Sequence, residues 1–320
     1  GASSNCPPHL SAIAKHMGVK INLKAWQRLG RDIPLLVNCK PAGKHLMESF
    51  YKAGGIPAVM QELVKQKKLH TSVKTVSGKT LGENLKIKIN LDSDVIKSFS
   101  DPVVENAGFI VMRSNFFNSA VMKTSVISEE FRERYLSNPK HPNAFDAKAV
   151  VFEGPEDYHH RINSSKLKID ENSILIIRGC GPVGYPGSAE VVNMQPPDRL
   201  LKQGINALPT LGDGRQSGTS ESPSILNVSP ESAIGGDLSI VKTGDKLRID
   251  LNKKRVDLLI SPTEFKKRRK EKKIPKLKNQ TPWQEISRKT VGQLEDGACM
   301  NLSGVYLDIV NKKGPPRNSH

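Results

Sequence analysis

Apolar residues recur with helical spacing near the start of the chain. Leu10, Ile13, Ala14 and Met17 fall three or four residues apart before Gly18, which predicts a helix over residues 9–17. A second short helix is predicted from Asn22 or Leu23 through Trp26 and Leu29. Residues 33–38 are a compact apolar run suited to a buried strand. Another helix opens within residues 53–60. Pro57 lies near its first turn, where a missing N–H costs little, and Val59, Met60, Leu63 and Val64 give its inner face. Near residue 90 the pattern changes. Runs at 109–112, 149–152, 174–177 and 256–260 are short and rich in β-branched residues, and residues 245–251 alternate apolar with polar. The order predicts part of an α/β layer followed by a strand-rich domain of barrel or sandwich type. Helical spacing returns around Trp283 to Val291.

Length and composition narrow the class. A chain of 320 residues is long enough for about two domains of roughly 150 residues each. A hydrophobic fraction of 37% with 25% charged residues is polar for a globular protein but far from a disordered composition. No apolar run approaches the roughly 18 residues of a membrane-spanning helix, so no membrane partner is expected. The first residues lack the basic and apolar regions of a signal peptide. The chain begins at Gly1 rather than Met, which reads as a processing site or a fragment edge. Cys6, Cys39, Cys180 and Cys299 form no C-x-x-C pair and no zinc spacing, as expected of reduced thiols in an intracellular protein, cytoplasmic or mitochondrial.

The net charge of +17 raises a nucleic-acid reading, but much of the excess lies in one run, Lys266 to Lys273, followed by Lys276 and Lys278. No aromatic residue interleaves this run after Phe265 and no groove-reading motif accompanies it. The expectation is a solvated helix and linker without specific nucleic-acid binding, a polyanion or nuclear-import patch being the alternative.

Two loops carry candidate chemistry. Residues 178–190 follow the apolar run 174–177 and hold four glycines and two prolines, ending in Glu190. That composition suits unusual dihedrals and close backbone approach. Residues 212–220 place Ser217 between an arginine-containing turn and Gly218. A serine needs a base or a metal to become reactive, and neither a Ser-His-Asp order nor a G-x-S-x-G elbow is present, so a hydrolase is not supported. Taken alone, each loop reads by default as a structural turn.

In combination these segments resemble a known family. Gly-Tyr-Pro-Gly-Ser-Ala-Glu at 184–190 continuing to Met194, Gly-Asp-Gly-Arg-Gln-Ser-Gly-Thr at 212–219 and Val-Ser-Pro-Glu-Ser-Ala-Ile-Gly-Gly at 228–236 are similar to the C-terminal signature of the dihydroxy-acid/6-phosphogluconate dehydratases. Segments at 1–5 with His9 and Leu10, at 40–43, 53–59 and 77–80, and the ending at 315–320, match in the same order. The forms at 184–190, 157–161 and 282–286 are most similar to the pentonate branch, which acts on acids such as xylonate. The resemblance implies an α/β remnant of the family's N-terminal domain at 1–90, a mainly β swivelling barrel of β/β/α type at 91–262 and a basic linker with helical tail at 263–320.

It also implies a hydro-lyase converting a 2,3-dihydroxy sugar acid to a 2-keto-3-deoxy acid, homo-oligomeric when complete. Its cofactors would be a [2Fe–2S] cluster, one iron acting as Lewis acid for the departing 3-hydroxyl, and Mg²⁺ at the carboxylate and 2-hydroxyl. Motif by motif, Glu190 matches the magnesium-ligand glutamate, Ser217 the serine whose alkoxide removes the C2 proton, and Thr219 the hydroxyl that binds substrate carboxylate. The family's cluster cysteines, further acidic magnesium ligands and carbamylated lysine precede the motif at residues 1–5, and Cys6 and Cys180 match no cluster-ligand motif. The expectation is therefore a truncated, inactive portion of such an enzyme, with a non-catalytic basic binding module or a degraded gene product as competing readings.

Overall fold

The computed structural model describes residues 1–218, 220, 223–278 and 280–313. Thr219 and the ending at 315–320 lie outside the described residues. The chain forms two compact units, one of Gly1 with Leu29–Gly108, the other of Ala2–Arg28 with the described residues from Phe109 onward.

In the first unit, helices Met47–Lys52 and Gly55–Lys65 pack around Phe50, Ala53, Ala58, Val95 and Ile96. The second of these helices is the one anticipated over 53–60, but its most deeply buried side chains are Ala58 and Glu62. Val59, Met60, Leu63 and Val64 are only partly covered. The run at 33–38 is extended and buried, yet it joins its neighbours only through single bridges, Leu35 to Val104 and Val37 to Ile96. Backbone pairing beyond single bridges is needed for a strand, and apolar content alone does not supply it.

The second unit is built on eight strands: β1 Phe109–Ser114, β2 Ser119–Lys123, β3 Ala144–Phe152, β4 Ser173–Ile177, β5 Thr210–Gly212, β6 Ser224–Ser229, β7 Lys246–Asp250 and β8 Arg255–Leu258. They close into a barrel in the order β1-β2-β6-β5-β4-β3-β7-β8. This is the barrel anticipated after the α/β portion. β3, β4, β5 and β6 run parallel to one another, while β2 and β7 pair antiparallel at either side. A parallel β1–β8 contact completes the ring.

Alternation along the strands sends one set of side chains inward, among them Met112, Met122, Ala149, Ile176, Leu211 and Ile249. The opposite faces of β3 and β4 are also apolar. Val150, Phe152, Leu175 and Ile177 meet Tyr158 and Leu208 from the covering segments. Strands buried on both faces carry continuous apolar runs, as parallel strands commonly do, and those runs were visible in the sequence.

The helix Cys6–His16 belongs to this second unit. Its apolar stripe is not its buried face, since Ile13 and Met17 are 62% and 72% exposed while Pro7, Pro8 and Ser11 are buried. Periodicity marks a stripe but does not specify what covers it.

The basic run is less solvated than its composition suggests. Helix Pro262–Glu271 starts with Ser261 accepting from Glu264 N, and Pro262 occupies its first turn. Arg268 forks onto Asp245 with contacts of 2.5 and 3.0 Å and reaches Glu264 at 2.7 Å. Both partners of the Arg268–Asp245 pair are about nine-tenths covered. Arg269 and Lys272 both bind Asp237, at 2.6 and 2.7 Å. These cations anchor the helix to the barrel, whereas Lys266, Lys267, Lys270 and Lys273 are exposed. Arg268→Ala is expected to destabilise the protein by about 3 kcal/mol, because it strands the Asp245 carboxylate in a covered position. Lys267→Ala is expected to shift stability by no more than about 0.5 kcal/mol. Chemical denaturation of both variants checks the contrast.

Candidate active site

The parallel run fixes where the candidate loops lie. β4 and β5 end level with each other, Ile177 opposite Gly212, so the segments after them leave the barrel side by side. The first is the glycine-rich stretch ending in Glu190 and the second carries Ser217.

Two buried carboxylates hold these segments. Asp213 is fully buried, and its carboxylate accepts from Gly179 N at 3.1 Å, Cys180 N at 2.9 Å, Ser232 N at 2.9 Å and Ser232 Oγ at 2.5 Å. Glu231, also fully buried, accepts from Val183 N at 3.0 Å, Gly184 N at 2.8 Å and Gln293 Nε2 at 2.8 Å. Burial pushes the Glu231 carboxyl above its ordinary value, against the downward pull of the Gly184 and Val183 N–H groups. Gly181 is required here, since a Cβ would stand 2.4 Å from the Glu231 carboxylate. The loop's flexible composition is therefore frozen by backbone donors aimed at two acids.

Two asparagines join the candidate residues themselves. Asn193 donates through Nδ2 to the Glu190 carbonyl at 2.8 Å and accepts through Oδ1 from Ser217 N at 3.3 Å. Asn5, just ahead of the helix Cys6–His16, donates to the Glu190 carboxylate and, at 3.1 Å, to the carbonyl of Gln216. Arg215 extends the network, with Nε donating to Ser188 O at 2.7 Å and Nη1 to Asn5 Oδ1 at 3.3 Å. Its Nη1 also lies 3.1 Å from His9 Nε2, which must be the acceptor because a guanidinium has only donors. The same Nη1 stands 4.0 Å from the Glu190 carboxylate. Ser3 packs against Gly218 so closely that a Cβ there would lie 2.5 Å from Ser3 Oγ.

Glu190 and Ser217 are thus drawn into one network by Asn193 and, from the start of the chain, by Asn5. Asn5, His9, Asn193 and Arg215 were not singled out in the sequence as working residues. Asn5 and His9 were visible only as part of a family motif. A cavity of about 240 Å³ is lined by Arg215, His9, Pro182, Ser188 and Met300 among others. It is smaller than the roughly 300–1,000 Å³ of typical small-molecule pockets.

The donor sets differ in how they suit the cofactors expected from the resemblance. Glu190, with a partly exposed carboxylate beside the Ser217 segment, fits one carboxylate ligand of a magnesium ion, which takes one or two carboxylates and fills the rest of its octahedron with water and substrate. The four free thiols do not fit a three-cysteine cluster site. Cys180 is fully buried and its thiol is pushed up by burial, away from the thiolate form that a cluster requires. Cys39 belongs to the other unit. Among the described residues no group of three or more His, Cys, Asp or Glu side chains is placed to hold a metal.

Residues 1–84 and 94–298 match the N-terminal and C-terminal models of the dihydroxy-acid/6-phosphogluconate dehydratases, respectively. The chain belongs to this family. It is 54% identical over its whole length to 53% of the D-xylonate dehydratase of Caulobacter vibrioides. It is 40% identical over 84% of its length to 45% of the L-arabinonate dehydratase of Rhizobium leguminosarum bv. trifolii. Against 52% of the dihydroxy-acid dehydratase of Thermodesulfovibrio yellowstonii it is 34% identical over 94% of its length. The chain spans about half the length of the curated relatives it matches.

Proposed function

We propose that this chain is the barrel-bearing portion of a sugar-acid dehydratase that takes a pentonate such as D-xylonate to its 2-keto-3-deoxy acid. The observation that carries the reading is the pair of asparagine bridges that couple Glu190 to the Ser217 segment. Dehydration needs negative charge stabilised as the C2 proton leaves and needs a group to accept that proton. Ser217 is the acceptor in this reading, and Glu190 is the residue that would hold Mg²⁺. When bound, Mg²⁺ supplies positive charge beside the substrate carboxylate and 2-hydroxyl. Thr219, adjoining Gly218, is assigned to the substrate carboxylate by its place in the family motif. Asn5 orients the Glu190 carboxylate, and Arg215 holds Asn5 and His9 in place. The [2Fe–2S] cluster expected from the resemblance finds no matching set among these thiols, so no step is assigned to it.

The test is keto-acid formation from D-xylonate, L-arabinonate and a branched-chain dihydroxy acid by the cluster-loaded holoenzyme that carries this chain. Turnover on the pentonates ahead of the branched-chain acid is expected, and absence of turnover on every sugar acid overturns the reading. Glu190→Gln is expected to raise the magnesium concentration needed for half-maximal rate by about tenfold or more, the weakening expected when a hard cation loses its carboxylate. A magnesium series on the variant checks it, with part of the rate returning at high magnesium.

A further inference from the structure

β2 ends in a lysine that neither the family motifs nor the site network uses. Lys123 is 6% exposed, and its ammonium nitrogen has no hydrogen-bond partner among the described residues. Burial lowers its pKa, opposed by the nearby Cys6. A buried cation without an acceptor is costly, and proteins rarely keep one unless something neutralises it.

The strand register shows where this amine lies. Met122 pairs with Ile225 and both point into the barrel, so Lys123, one residue on, stands beside Ser224 on the outer face. Ser224 Oγ accepts from Gln216 Nε2 at 2.8 Å, and Gln216 is the residue whose carbonyl Asn5 holds. Cys6, the electrostatic neighbour of Lys123, directly follows Asn5. The amine therefore adjoins the segments that carry Ser217 and Asn5. Two residues further on, Ser125 is also buried with a hydroxyl that has no partner among the described residues. Unused donors without a matching acceptor are the chemistry of an anion site.

We infer that Lys123 is a carboxylate-binding residue of the candidate site, its ammonium receiving the carboxylate of the acid substrate. The inference rests on the sugar-acid reading for the identity of that acid. Binding the anion would satisfy the amine and fix the acid end of the substrate relative to Ser217. It also explains why a lysine is kept at a strand position otherwise surrounded by covered groups.

The test measures affinity of the holoenzyme for D-xylonate and for D-glycerate, together with melting temperature, in Lys123→Met and Lys123→Arg. Lys123→Met is expected to weaken acid binding by about 10- to 100-fold, the range of one charge-assisted hydrogen bond. Its melting temperature is expected to stay level or rise, because an unpaired buried charge is removed. Lys123→Arg should recover part of the affinity. If Lys123→Met binds D-xylonate as the native protein does, the inference is overturned while the dehydratase reading stands. If both variants lose binding and melt at lower temperature, the lysine is structural and the inference is again overturned. If native protein binds D-glycerate through Lys123 but ignores pentonates, the lysine assignment holds and the pentonate reading fails. Failure of native protein to bind either acid overturns the lysine assignment.

Discussion

Ser217→Ala in the cluster-loaded holoenzyme is expected to lower kcat by about 10³-fold or more while leaving fold and cofactor content intact. Loss of a general base commonly costs about 10² to 10⁴ in rate. The upper part of that range applies here because the network supplies no obvious replacement. His9 faces the Arg215 guanidinium through its acceptor nitrogen, and a guanidinium offers donors only. Neither Asn5 nor Asn193 is a base. The contact Ser217 makes to Asn193 uses its backbone N–H, so alanine at 217 preserves that bridge. Stopped-flow or steady-state kinetics, with circular dichroism and cluster absorbance as controls, checks the result. A variant that keeps a near-native kcat would move the proton acceptor to another group. Removal of the proposed magnesium ligand should differ in kind, responding to added metal where Ser217→Ala does not.

The second large effect is one of stability. Asp213→Leu is expected to cost about 4 kcal/mol or to prevent folding, and Asp213→Asn about 2 kcal/mol. Leucine leaves the buried N–H groups of Cys180 and Ser232 without acceptors, each at about 1–3 kcal/mol with partial relief by relaxation, and leaves Gly179 N with only its bond to Ser232 Oγ. Asparagine retains one oxygen and replaces the other by a donor, which faces further donors. Denaturant titration gives the energies. Amide exchange at Gly179 and Cys180 in Asp213→Asn should rise more than exchange within β3, because the loop loses its anchor while the barrel ladder persists. Equal protection in both places would show that the loop is held by other contacts.

Much of the barrel was legible from the chain because β3 and β4 are covered on both faces and so carry unbroken apolar runs. β7 was legible for the opposite reason: one face is buried and the other is open, giving strict alternation. β2, β5 and β6 were missed. β5 is only three residues long, and β6 places buried Ser224, Asn227 and Ser229 among its apolar residues, so neither shows a clean period. β2 ends in Lys123, which reads as surface until its burial is seen. At the site, the loop compositions pointed to Glu190 and Ser217, and the family resemblance assigned them roles. The Asn5 and Asn193 bridges were not legible, because they depend on long-range closure between residues nearly two hundred positions apart in one case. The same holds for the basic helix, where charge was visible but the pairing of Arg268 with Asp245 was not.

The level ending of β4 and β5 makes the barrel a ruler. Adjacent strands stand about 4.8 Å apart, so the two working loops start from points whose separation is set by backbone hydrogen bonds rather than by either loop's own sequence. Loop residues not packed against Asp213 or Glu231 can then vary in size and polarity while the distance between those origins stays fixed. A scaffold of this kind lets the two loops change in length and polarity without disturbing the spacing between the segments that carry Glu190 and Ser217.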